Sequence, residues 1–191
     1  MVKLNLIKKP KQFCAIDAST NSLAFAIFED KKIIACGKIN FEGLHTYDKV
    51  MDAARKTKAF FDNFNFEAVI IEHTVFMNSP KTAAQLAMVQ GALLGAASMS
   101  GVKKIGSVSP MTWQNFIGNK KLTKEEKHEI QKKNPGKSVS WFKSEERNVR
   151  KQRTINFINI NYDKQLEDDD VADACAIGHW ALKNWDKAFG Y

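Results

Sequence analysis

No polar residue interrupts Ala68-Val69-Ile70-Ile71, and the run closes on Glu72. Side chains of a strand point alternately to its two faces, so four apolar residues in succession need cover on both sides. Phe13-Cys14-Ala15-Ile16 has the same character and closes on Asp17. Two strands of this kind point to a sheet with helices above and below it, and each ends on an acid.

The sequence between and beyond them fills in that layout. Ser19-Thr20-Asn21-Ser22 reads as a tight polar turn after the first strand. Residues 23–28 and 32–41 read as two further strands parted by Glu29-Asp30-Lys31, giving a three-stranded antiparallel meander. Residues 47–64 carry Val50, Ala54, Ala59, Phe60 and Phe61 near helical spacing. Ser79-Pro80 supplies an N-cap and a first-turn proline for a helix to about residue 100. Its Ala83, Ala84, Ala87, Gly91, Ala92, Gly95, Ala96 and Ala97 let a second backbone come close, either the chain's own sheet or another copy. A strand at 104–108 follows, and Ser109-Pro110 opens a helix to about 117. Thr123-Lys124-Glu125-Glu126 is a capping box for a short helix that Asn134-Pro135-Gly136 stops. An amphipathic helix is expected at 144–160, and Glu167-Asp168-Asp169-Asp170 caps a last helix at 171–187. The expected fold is α/β: a mixed five-stranded sheet, a three-stranded antiparallel meander plus two parallel strands, with helices on both faces. Residues 1–191 read as one domain with a basic helical embellishment at about 119–153.

Charge is unevenly placed. The chain carries +8, and residues 120–153 hold 12 Lys/Arg against 5 Asp/Glu. A concentrated basic segment suits a polyanion, although a merely solvated helical face has the same composition. Three scattered cysteines suit reduced thiols, and no Cys/His cluster has zinc spacing. Residues 1–12 lack the apolar run of a signal peptide, and no stretch approaches the ~20 apolar residues of a membrane helix. The expected setting is therefore cytoplasmic, with no membrane partner.

Four carboxylates stand where a cation site can form. Ligands of open α/β sheets gather outside the strand carboxyl ends, where Asp17 and Glu72 lie. Asp170 and Asp173 are three apart on one helix and share a face. Each has an ordinary reading too: Asp17 opens a turn, Glu72 is a strand-end charge, and acids at 168–170 suit a helix start. Asp173 fits none of these, because Ala174-Cys175-Ala176-Ile177 follows it and a charge among such residues needs a partner. Oxygen-only donors of this kind suit magnesium.

Residues 15–27, Ala-Ile-Asp-Ala-Ser-Thr-Asn-Ser-Leu-Ala-Phe-Ala-Ile, resemble the first motif of RuvC-like nucleases. Ala68-Val69-Ile70-Ile71-Glu72 is similar to their second acidic strand, and Asp170-Val171-Ala172-Asp173-Ala174-Cys175-Ala176 to their closing helix. The helix at 85–97 and Ser107-Val108-Ser109-Pro110 are also similar, so the resemblance spans about 13–118 and 145–182. It implies a RuvC-type Holliday junction resolvase of the RNase H-like superfamily, a phage-type member being one option. Asp17, Glu72, Asp170 and Asp173 would then be catalytic and hold two Mg²⁺ ions, with Mn²⁺ substituting. The resemblance further implies a homodimer that places paired, symmetric nicks in a four-way junction, in the nucleoid or a phage-infected host cytoplasm. Lys120, Lys121, Lys124, Lys143, Arg147, Arg150, Lys151 and Arg153 would contact phosphates.

The chain departs from the family pattern in three places. Ala18-Ser19 stands where a glycine is common, Trp113 where a lysine is expected, and the stretch 120–143 is long. Lys120, Lys121 or Lys124 is then the assisting cation. Trp141 and Phe142 either stack on an unpaired base or bury the basic segment against the body. His73 should face away from Glu72, and His73 and His179 read as structural; Trp180 and Trp185 read as helix packing. Other readings are an RNase H-like nuclease acting on other branched DNA, flaps or RNA–DNA hybrids, a non-catalytic binding module, and an actin-like ATPase. The last begins with a similar Asp and Ser/Thr turn but needs two lobes and more chain.

Overall fold

A computed structural model describes residues 10–73 and 79–190. Five strands form one sheet: β1 (Gln12–Ala18), β2 (Ser22–Glu29), β3 (Lys32–Asn40), β4 (Ala68–Glu72) and β5 (Lys104–Val108). Their order is β3-β2-β1-β4-β5. β1, β2 and β3 pair antiparallel, whereas β4 lies parallel to both β1 and β5. The mixed sheet expected from the sequence is therefore present. Helices α1 (Thr46–Asp62) and α2 (Pro80–Met99) precede β4 and β5. They are followed by α3 (Pro110–Phe116), α4 (Lys124–Lys133), α5 (Val139–Tyr162), α6 (Asp169–Lys183) and α7 (Trp185–Ala188).

The two apolar strands are buried on both faces, and alternation sorts their side chains into two cores. Cys14, Ile16 and Val69 join Ala53 and Phe61 of α1 and Val89, Leu93, Ala96 and Ala97 of α2. Phe13, Ala15, Ala68 and Ile70 join Val171, Ala174, Cys175 and Ile177 of α6, with Trp113 and Ile158. The small residues of α2 divide: Ala96 and Ala97 pack inward, while Gly91 and Gly95 face open space. On the opposite face α6 lies close to the sheet because Gly178 has no side chain; a Cβ there would sit 2.0 Å from the Phe28 ring.

Two boundaries differ from the sequence reading. α5 begins at Val139, because Ser138 caps it by accepting from the Trp141 amide at 3.2 Å. Trp141 and Phe142 thus lie in its first turn, their rings edge to face at 5.2 Å and Lys137 over the indole. The last helix is two helices, parted at Asn184, whose side chain donates to the Trp180 carbonyl at 3.1 Å and so competes with the helical backbone. No helix among the described residues is long and apolar enough to cross a membrane.

Candidate functional site

The β1–β4 register brings Asp17 and Glu72 together. Phe13 lies beside Ala68, and the pairing runs in step to Ile16 beside Ile71. The next residues are Asp17 and Glu72, at the carboxyl ends of adjacent parallel strands. By the same alternation both share a face with Phe13, Ala15, Ala68 and Ile70, which is the face that α6 covers. α6 starts there with Asp168 as N-cap, its carboxylate accepting from the Val171 amide at 3.1 Å. Asp170 and Asp173 follow in its first turns, so all four acids meet over one end of the sheet.

Their electrostatics carry the mark of that meeting. Burial raises the Asp17 pKa well above the usual carboxylate range, and Glu72, Asp173 and Asp170 push it further. Asp173 is pushed up to about 7 by burial and by Glu72, against a hydrogen bond from Thr154 that pulls it down. Burial also raises Glu72, and the Trp113 hydrogen bond opposes that rise. The inner acids hold their protons tightly because burial and the negative charges of their neighbours both disfavour the ionised form. Among the described residues no three carboxylate, imidazole or thiol groups converge on one point as a ready-made cage. Asp170 leans instead to Lys38, which also reaches Asp168 at 3.3 Å, and the two acids hold the Lys38 ammonium above its ordinary pKa. A hard-oxygen donor set with repelling charges fits a divalent cation in chemistry, and an arriving ion would compete with Lys38 for Asp170.

Three supporting residues escaped the sequence reading. Trp113, fully buried, donates from Nε1 to Glu72 Oε1 at 2.7 Å. Lys38 comes from the far-edge strand β3 to neutralise the start of α6. Buried Thr154, which hydrogen-bonds Asp173, itself accepts from Asn119 Nδ2 at 2.9 Å. Only Trp113 carried a signal, as an indole where a cation was expected.

The basic segment packs beside this end of the sheet. Lys120, Lys121, Lys124, Lys143 and Arg147 were all expected at the surface, and all five are exposed, Arg147 one turn before Lys151. The other three are engaged: Lys151 pairs with Asp169, Arg153 with Glu126, and Arg150 donates to Gln114 Oε1. A hollow of about 650 Å³ is floored by Pro110 and Met111 and rimmed by Lys120, Lys121 and Arg150. Another, of about 360 Å³, lies between α4 and α5. A hollow of about 180 Å³ lies between the Thr20–Asn21 turn and Gln85, lined by His45 and Lys49 among others and by none of the four acids. His73 is exposed just beyond the end of β4, outside the strand on which it was expected to face away from Glu72. His179 is half-buried, accepts from or donates to the Tyr162 hydroxyl at 2.8 Å through Nδ1, and is held below its ordinary pKa by burial.

No family model matches the sequence, and no curated protein matches it. Solved structures do. The structure of Thermus thermophilus RuvC in complex with a Holliday junction substrate superposes with a TM-score of 0.64 at 15% identity, covering 94% of this chain and 98% of that one. The fold is that of RuvC. A second structure of Thermus thermophilus RuvC matches with the same TM-score over 93% of this chain and 97% of its own. The yeast mitochondrial Holliday junction resolvase Ydc2 matches with a TM-score of 0.50 at 14% identity, over 92% of this chain and 81% of its own. The RuvC fold accounts for nearly all of the chain.

Proposed function

We propose that this protein is a divalent-metal-dependent endonuclease that cleaves four-way DNA junctions with paired, symmetric nicks, acting as a homodimer. The observation that carries the reading is the mutual perturbation of Asp17, Glu72 and Asp173, with Asp170 beside them, at one end of a RuvC-type sheet. Those four residues would hold two Mg²⁺ ions, or Mn²⁺ in their place. When bound, such ions activate an attacking water and stabilise the leaving oxygen. The water oxygen forms a bond to phosphorus, the bond from phosphorus to the 3′ oxygen breaks, and the water's proton departs while the 3′ oxygen gains one. The ends left are 5′-phosphate and 3′-hydroxyl.

The chain's own residues do the rest. Trp113 fixes the Glu72 carboxylate, and Thr154 fixes that of Asp173. Exposed Lys120, Lys121, Lys124, Lys143 and Arg147 would hold flanking phosphates, which set position without reading sequence. A two-fold dimer would offer each of two symmetric strands one set of acids. Near-complete coverage of a resolvase whose structure holds a junction favours this substrate over the alternatives. The test is a cleavage panel with Mg²⁺ on a junction, a Y-fork, a flap, a duplex and an RNA–DNA hybrid. Paired nicks confined to the junction are expected, and are lost in Asp17→Asn and Glu72→Gln; preferential cutting of flap or hybrid would transfer the assignment to another RNase H-like nuclease.

A further inference from the structure

Between the basic segment and the acids lies a hollow of about 130 Å³ whose lining includes Asp173, Thr154, Asn119, Gln114 and Arg150. Lys120, Lys121 and Lys124 are not among the residues that line it. Arg150 borders this hollow and also both larger ones outside it, so its side chain sits where the basic surface meets the acids. It lies one helical turn before Thr154, on the same face of α5.

Arg150 is built in from two directions. Its guanidinium Nη2 donates to Gln114 of α3, and its backbone carbonyl accepts from Asn119 Nδ2 at 2.8 Å. Asn119, itself buried, also donates to Thr154, which reaches Asp173. No acid pairs with Arg150 among the described residues, whereas its neighbours Lys151 and Arg153 are taken by Asp169 and Glu126. Its Nε is buried and has no partner among the described residues. A buried guanidinium N–H without an acceptor is costly, and its natural acceptor is an anion bound in the hollow. The planar fork of arginine matches phosphate oxygens in a way that a lysine does not.

We propose that Arg150 is a catalytic residue, binding the very phosphate that is cleaved, while Gln114 and Asn119 are positioning residues that hold it beside Asp173. This rests on the endonuclease reading above. It separates Arg150 from the exposed lysines, which would hold flanking phosphates only. Charge that develops on the phosphoryl oxygens would meet a cation already oriented, and loss of one such donor typically slows a reaction about 10²–10³-fold.

Single-turnover cleavage of a junction is measured with Mg²⁺ for the wild type, Arg150→Lys, Arg150→Ala and Gln114→Ala, with junction affinity measured in Ca²⁺. Arg150→Lys should bind within about threefold of wild type yet cut about 100-fold more slowly, by the magnitude for a lost oxyanion donor. Gln114→Ala should slow cutting about tenfold with unchanged affinity, a tenfold loss being about 1.4 kcal/mol of orientation. A junction with a neutral methylphosphonate at the mapped cleavage position should bind the wild type more weakly than the ordinary junction. In Arg150→Ala that difference should shrink to the part contributed by the bound cations. Wild-type cutting by Arg150→Lys, or an undiminished methylphosphonate effect in Arg150→Ala, overturns the role of Arg150 while leaving the nuclease intact. Absence of wild-type cutting on every branched substrate overturns both readings. Should the Arg150 variants fail to fold, Gln114→Ala decides, and an unchanged rate in it defeats the proposal.

Discussion

Trp113 and Asp173 show how single residues set the behaviour of the acids. The Trp113 indole gives Glu72 a hydrogen bond that a phenylalanine would withhold while still filling most of the space. A bond to a charged acceptor contributes about 1.5–3 kcal/mol, so Trp113→Phe should weaken Mn²⁺ binding roughly tenfold or more in a calorimetric titration. An affinity unchanged from wild type would make the indole packing alone. Asp173 bears on stability. Its folded pKa of about 7 lies above the ordinary 3.8, so the protonated form is the one the fold favours. The associated stability is complete below pH about 4 and is lost as pH rises through 7. The metal-free protein should therefore melt at lower temperature at pH 8 than at pH 5. Asp173→Asn should shrink that difference and raise the pH 8 midpoint by several degrees, at roughly 2–4 °C per kcal/mol for a chain of this size. Added Mg²⁺ should lift the wild type at pH 8 and the variant less. A midpoint that rises with pH in the metal-free wild type would refute the linkage.

Elements place these residues, and their edges were less legible than their existence. β1 and β4 were readable because their apolar runs have no interruption and end on acids. α4 was readable because its capping box is local, with Thr123 accepting from the Glu126 amide and Glu126 from that of Thr123. The early start of α5 and the break at Asn184 were not readable, since each turns on one polar side chain that bonds the backbone, Ser138 as a cap and Asn184 as a competitor for a helical carbonyl. The approach of α6 to the sheet depends on Gly178. Gly178→Ala would drive a methyl into Phe28 and should destabilise the protein by about 1–3 kcal/mol, the usual cost of overpacking a core. Chemical denaturation measures this, and a neutral result would mean the ring moves aside freely.

At the scale of the molecule, charge and topology act together. Residues 120–153 hold most of the net positive charge, and the fold sets them beside the end of the sheet that carries the acids. Binding of a junction should consequently weaken steeply with salt. The double variant Lys121→Ala/Lys143→Ala should reduce the log–log slope by about 2, roughly one for each phosphate that is no longer neutralised. An unmoved slope in fluorescence anisotropy would place the DNA elsewhere. From the sequence alone came the layer arrangement, the two acidic strand ends and the paired acids of α6, because hydrophobic periodicity and helical spacing are properties of short segments. The partners of those acids were decided in three dimensions. Trp113 meets Glu72 across 41 residues, and Lys38 meets Asp168 and Asp170 across 130 and 132. Such pairings follow from strand order and from how closely a helix can lie on a sheet, which no short run of residues encodes. The chemistry of the site was therefore written locally, while the neighbours that orient and neutralise its groups were chosen by tertiary packing.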